Sequence, residues 1–270
     1  MVRALSFLLE SKIFISICAV SCIISTCLIL GINHYSLPLL CFLFFSTLLI
    51  YNIPYYYHVV KSTGTNTFVL KSLVILNLLF CFYSSLHLLP GSIFFTFHLG
   101  VISFLYYLPF SSMEKHSARK VKFLKIFLIS YVWACCTVIL PVLQADQKIT
   151  SEVILLFVDR FIFIFAITLP FDIRDLKKDQ LCNIVTIPVA LGISNSKMIS
   201  YVLLLVFCLN SLFYAHPITV FISRIISTII LYLLIFNITD SKSQYWFTGF
   251  IDGSMILQMA GLLFLELLYV

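Results

Sequence analysis

The sequence predicts an all-α integral membrane protein. Three observations predict it: 61% of the residues are apolar against 10% charged, apolar runs of bilayer length follow one another from end to end, and each run is bounded by Pro, Gly or charge. No soluble domain of 270 residues could hide this much hydrocarbon beneath its surface. The solvent for the fold is lipid.

A helix that crosses a bilayer needs about 20 mostly apolar residues, and nine runs meet that requirement, near 13–32, 37–60, 69–89, 91–110, 121–142, 150–171, 197–214, 217–237 and 247–268. The first run follows Glu10 and Lys12 with no small-residue cleavage site after it, which argues against a removed signal peptide. The second and eighth open at Pro38 and Pro217, where a residue lacking an N–H belongs. Pro90-Gly91 joins the third to the fourth by a turn too tight to hold a domain. The reading is one polytopic domain over 1–270.

Of the seventeen Lys and Arg, Arg160 and Arg224 fall within helices; with an inside N-terminus, fourteen of the others lie on the cytoplasmic side and Lys148 alone lies outside. Basic loops are retained in the cytoplasm, so nine spans, a cytoplasmic N-terminus and an outside C-terminus in the cell membrane form the self-consistent topology. The +6 net charge is spread among these short loops, which excludes nucleic acid as a partner and leaves membrane lipid as the surroundings. The nine cysteines show no metal or redox spacing and read as small apolar residues.

One segment breaks the apolar monotony: Thr168-Leu-Pro-Phe-Asp172-Ile-Arg-Asp175-Leu-Lys-Lys-Asp179. On a helix, Asp172, Asp175 and Asp179 would share one face over about 10 Å of rise. Such a row can hold a diphosphate through Mg²⁺, which takes one or two carboxylates plus phosphate oxygens and water. Arg174 and Lys178 in the same stretch would contact phosphate directly or offset the repulsion among the acids. A solvated helix end of mixed charge is the alternative. Elsewhere Asp159, Arg160, Arg224 and Asp252 sit at membrane depth, where each is expensive; Asp252 is expected to pair with Arg160 or Arg224, unless these groups wall a polar cavity that orients an acceptor.

The run Phe171 to Asp179, followed by Thr186-Ile-Pro188 and Leu191-Gly192, resembles the second Asp-rich motif of the UbiA superfamily of intramembrane prenyltransferases. Similarity extends to Tyr106-Tyr107-Leu-Pro109, to Lys125 with Trp133 through Pro141, and to Asp252-Gly253. The resemblance implies a nine-helix bundle that moves an isoprenoid chain from a prenyl diphosphate to an aromatic or other lipophilic acceptor, with Mg²⁺ held by Asp172, Asp175 and Asp179. Where the family has an Asn followed at four-residue spacings by two Asp, this chain has Asn52, Tyr56 and Val60. Both acids of that first motif are missing, so Asn52 and Tyr56 are left to hydrogen-bond phosphate. Asn183 stands where a Gly is common, the mildest replacement if the position needs a positive φ. The basic stretch Glu114 to Lys122 needs no catalytic role beside anionic lipid; in an enzyme, Lys115 and Arg119 would cover the diphosphate from the side opposite the Asp row. The other function left open is a catalytically impaired relative that binds isoprenoid or lipid without transfer.

Overall fold

The computed structural model describes residues 7–33, 35–61, 67–107, 121–214, 217–238 and 242–269, with the backbone alone over 54–61, 67–70, 104–107, 217 and 269. Among these residues the chain is helical throughout: α1 Ile13–Ile29, α2 Leu37–Lys61, α3 Thr67–Ser85, α4 Pro90–Tyr107, α5 Leu124–Gln144, α6 Ser151–Arg174, a short α7 Leu176–Leu181, α8 Ile187–Leu209, α9 Pro217–Phe236 and α10 Gly253–Tyr269. Five segments, Leu124–Gln144, Ser151–Arg174, Ile187–Phe213, Ile218–Phe236 and Trp246–Leu268, are long and apolar enough to cross a membrane, and α1 to α4 contribute four shorter apolar stretches. Large apolar side chains such as Phe94, Phe213 and Leu267 stand exposed, as helices in lipid allow.

The helices form a closed ring. α4 packs on α5, α5 on α6, α6 on α8, α8 on α9, α9 on α10, and α10 returns to α1, which also touches α2 and α5; α3 packs on α2. Phe163, Ile164, Leu231, Ile235 and Phe247 fill the centre of the α6, α9 and α10 side of this ring.

Two prolines explain how neighbouring helices are keyed together. Pro170 lies inside α6 and has no N–H for the carbonyl of Ala166, which accepts instead from Ser200 Oγ of α8 at 3.1 Å. Pro141 follows a π-helical turn, Cys135–Ile139, within α5; it leaves the Thr137 carbonyl to accept from Thr26 Oγ1 of α1 at 2.7 Å. In each case the freed carbonyl is answered by a hydroxyl on the adjacent helix.

The seventh apolar run starts earlier than expected, at Ile187 rather than near 197. Gly192 kinks α8 with φ 84° and ψ 167°, a conformation essentially confined to glycine. Lys197 therefore lies inside the helix, and its ammonium caps the end of α9, donating to the carbonyls of Phe236 and Ile238 at 3.0 Å each. Asn183 does adopt a positive φ, 54°, in the turn between α7 and α8.

Candidate functional site

The acidic segment does not continue as one helix. α6 ends at Arg174, and Asp175, with φ −87° and ψ 4°, separates it from α7, so the three carboxylates do not form a straight row. Asp172 and Asp179 converge instead on Lys125 near the start of α5: Nζ lies 2.6 Å from Asp172 Oδ1 and 3.5 Å from Asp179 Oδ2. Both acids are buried, at 1% and 5% exposure. Asp175 turns aside and holds Arg174 by two bonds, 2.9 Å from Nε and 3.0 Å from Nη2.

Three carboxylates on one face would repel one another unless a cation sat among them. In this structure that cation is the protein's own: Lys125 answers two of the acids and Arg174 the third. Among the described residues no three His, Cys, Asp or Glu gather as a metal-holding group. One acceptor is left over, since Asp172 Oδ2 is buried without a hydrogen-bond partner. For Asp175, burial pushes the carboxyl upward, but the Arg174 guanidinium outweighs it and holds the group below its ordinary value.

An apolar cavity of about 170 Å³ lies between α1, α2, α4 and α5. Leu128 and Ile129 line it, three and four residues beyond Lys125 and hence on the same face of α5. On α5 the lining of the cavity thus begins about one helical turn beyond Lys125. Tyr51 and Trp133 also line the cavity, and Trp133 Nε1 donates to Tyr51 Oη at 3.2 Å.

Of the other residues singled out from the sequence, Asn52 is buried and its Nδ2 donates to the backbone carbonyls of Ser11 at 3.1 Å and Leu48 at 2.9 Å. It ties α2 to the segment preceding α1. Arg174 lies at the α6 end with its guanidinium against the rings of Phe171 and Phe247, and Lys178 is exposed on α7. The side chain of Tyr56, and Lys115 and Arg119, lie outside the described residues.

The expectation that Asp252 pairs with Arg160 or Arg224 is corrected. Arg224 Nη1 contacts Asp159 Oδ2 at 2.7 Å, and that carboxylate also accepts from Tyr214 Oη at 2.6 Å and Asn210 Nδ2 at 2.8 Å. Arg160 donates to the Cys22 carbonyl and Thr26 Oγ1. Asp252 sits at the start of α10 instead, lining a second cavity with Lys12 and Arg174. Sequence reasoning missed Lys125 as the partner of the acids and read Lys12 only as a charge flanking the first run.

Comparison with solved structures gives the class of fold to which this helical bundle belongs. The chain is similar to a UbiA homologue from Archaeoglobus fulgidus bound to GPP and Mg²⁺, with TM-score 0.61, 12% identity, and 97% of this chain and 100% of that one covered. It is also similar to a digeranylgeranylglyceryl phosphate synthase, with TM-score 0.57, 14% identity and 97% of each chain covered. A UbiA homologue from Aeropyrum pernix K1 matches with TM-score 0.56 and 11% identity over 96% of each chain. The fold is that of the UbiA homologues. No family model matches the sequence, and no curated protein sequence matches it.

Proposed function

We propose that the chain is an intramembrane prenyltransferase of the UbiA superfamily, moving an isoprenoid chain from a prenyl diphosphate to a lipophilic acceptor. The observation that carries the reading is the pairing of buried Asp172 and Asp179 with Lys125, whose helix α5 lines an apolar cavity one turn further on. A prenyl diphosphate has that shape: a highly charged head joined to a hydrocarbon tail. The GPP and Mg²⁺ bound by the Archaeoglobus fulgidus homologue support the same ligand class. The topology read from the basic loops puts this end of the bundle at the cytoplasmic side of the cell membrane.

The residues present fit one magnesium ion. Asp172, with its unpartnered Oδ2, and Asp179 supply the two carboxylates such an ion takes when phosphate and water complete its shell, while Asp175 positions Arg174. Bound there with the diphosphate, Mg²⁺ would neutralise charge on the leaving group. Lys125 and Arg174 place cationic donors toward phosphate oxygens, and Lys178, Lys115 and Arg119 extend that basic surround. When the bond between the prenyl C1 and its oxygen breaks, the electron pair leaves with the diphosphate. The cavity keeps water from the allylic cation, and the π faces of Tyr51 and Trp133 attract it. The acceptor's nucleophilic atom then bonds to C1 and gives up its proton.

A second reading, binding of a prenyl diphosphate without transfer, is favoured by two observations: Lys125 already neutralises the acids, and the first acidic pair is missing. Purified protein incubated with labelled GPP and a panel of acceptors, with and without Mg²⁺, separates the two. Mg²⁺-dependent diphosphate release that falls in Asp172→Asn and Asp179→Asn supports the enzyme. GPP binding that these variants lose, with no release from the parent, selects the binding protein. Binding unchanged in both variants overturns the site.

A further inference from the structure

Arg160 of α6 and Gln258 of α10 line one small cavity, about 10 Å³, together with Ser25 of α1 and Ser223 and Arg224 of α9. Both side chains are buried, at 4% and 5% exposure. Arg160 Nε and Gln258 Nε2 have no hydrogen-bond partner among the described residues. Each of these nitrogens can only donate, and buried donors without an acceptor are rare in native proteins. Two of them beside one cavity call for an acceptor.

The neighbouring side chains are already committed. Ser25 Oγ donates to the Ser21 carbonyl at 3.0 Å and Ser223 Oγ to the Gln258 carbonyl at 2.8 Å. Gly261 permits that close approach of α10 to α9, since a Cβ there would lie 3.1 Å from Ser223 Oγ. Arg224 Nη1 is shared between Asp159 Oδ2 and the Phe207 carbonyl, and Arg160 Nη2 between the Cys22 carbonyl and Thr26 Oγ1.

The charges do not cancel here. Asp159 pairs with Arg224 at 2.7 Å, whereas Arg160 forms no ion pair among the described residues. Glu152 on α6 and Glu266 on α10 each lie eight residues, about 12 Å of axial rise, from Arg160 and Gln258 respectively. Asp252 lines the other cavity, with Lys12 and Arg174, and Lys197 of α8 is spent on the end of α9. Two guanidinium groups and one carboxylate therefore leave one positive charge at membrane depth, where an isolated ion is expensive.

We propose that this cavity binds a single monatomic anion of the halide class, chloride being the common one, held by Arg160 Nε and Gln258 Nε2. Its volume is at the threshold for one water-sized particle, which excludes carboxylates and phosphates. A water molecule would answer the donors but leave the charge, and a halide answers both. Bound there, the anion ties α6 to α10, the helix that closes the ring onto α1. Asp172 follows Arg160 by twelve residues of α6, about 18 Å, so the halide site is separate from the acidic cluster and stands or falls apart from the prenyltransferase reading.

The test replaces gluconate by chloride or bromide at fixed ionic strength in the purified protein and follows unfolding by tryptophan fluorescence. The parent's melting midpoint is expected to rise saturably with either halide, because a ligand of the folded state stabilises it by mass action. Gln258→Leu is expected to weaken the apparent halide affinity about tenfold or more, the worth of a hydrogen bond to a charged group, and Arg160→Met to abolish the response. Each variant is compared with itself between salts, so a general loss of stability leaves the reading intact. Crystals grown in bromide are expected to show its anomalous signal between Arg160 and Gln258. A parent that melts alike in halide and gluconate overturns the proposal without need of any variant. So does a halide response that Gln258→Leu leaves unchanged, or a cavity that holds water while bromide binds elsewhere.

Discussion

Replacing Lys125 by Met keeps most of the side chain's length and removes its charge. The Asp172 and Asp179 carboxylates, buried to 1% and 5%, would then lose the ammonium at 2.6 and 3.5 Å. Stripping one partner from a buried ion pair costs about 3–5 kcal/mol, because the remaining charge is left uncompensated. Lys125 is 17% exposed on its side chain, so solvent screening puts the expected loss at the lower end, about 3 kcal/mol. The same change removes the internal cation that competes with a metal. Lys125→Met is therefore expected to unfold earlier without Mg²⁺ and to recover with added Mg²⁺ more than the parent does, since a ligand that binds only the folded state stabilises it by mass action. Unfolding in mixed micelles followed by tryptophan fluorescence, across a Mg²⁺ titration, reads both effects. A variant as stable as the parent, or one that ignores Mg²⁺, would refute the claim that Lys125 is the cation on which this acidic cluster depends.

Arg224→Met alone is expected to destabilise by about 3–5 kcal/mol, and Arg224→Met with Asp159→Asn by less, because only the single variant leaves a buried carboxylate unpaired; additive losses in thermal melts would argue against the clasp. Ser200→Ala orphans the Ala166 carbonyl freed by Pro170 and is expected to cost about 1–3 kcal/mol, whereas Ser85→Ala, at an exposed hydroxyl, serves as the near-neutral control. The Arg174–Asp175 pair predicts a modest acid sensitivity. The folded carboxyl titrates below its unfolded value, so its stabilisation is complete above a pH of about 4 and is lost as pH falls through the folded value. With the carboxylate about one-third exposed that contribution is under about 1 kcal/mol, and Asp175→Asn is expected to flatten that limb of the pH–stability curve.

Composition and run length gave the helical class directly, because hydrocarbon in this proportion has no other solvent. The positive φ of Asn183 was legible too, since few residue types tolerate it. What stayed hidden was rotational phase. Asp159 and Arg160 are adjacent and so point about 100° apart. One therefore faces Arg224 and the other the backbone of α1, a choice that spacing within α6 cannot make. The straight carboxylate row failed for a similar reason: it assumed that α6 runs through Asp175, and the break there redirects that side chain to Arg174. Lys125 lies 47 residues from Asp172, and only packing of α5 on α6 reveals the pair. Its signal was present, as the charge that enters the apolar run furthest, on the face that carries Leu128 and Ile129.

The hydroxyl answers to the two prolines imply a timetable for synthesis. When α5 enters the bilayer, the carbonyl that Pro141 leaves open finds Thr26 already waiting on α1. α6 arrives less complete: its Ala166 carbonyl has no donor until Ser200 follows 34 residues later, and Asp159 has no guanidinium until Arg224 follows after 65. Unanswered polar groups are costly in lipid, so the nascent chain has reason to keep α6 beside the insertion machinery until α8 and α9 emerge, and then to release the three together. A chain truncated after Arg174 would cross-link to the translocation channel for longer than one truncated after Phe236, and equal dwell times would show that α6 enters the bilayer alone.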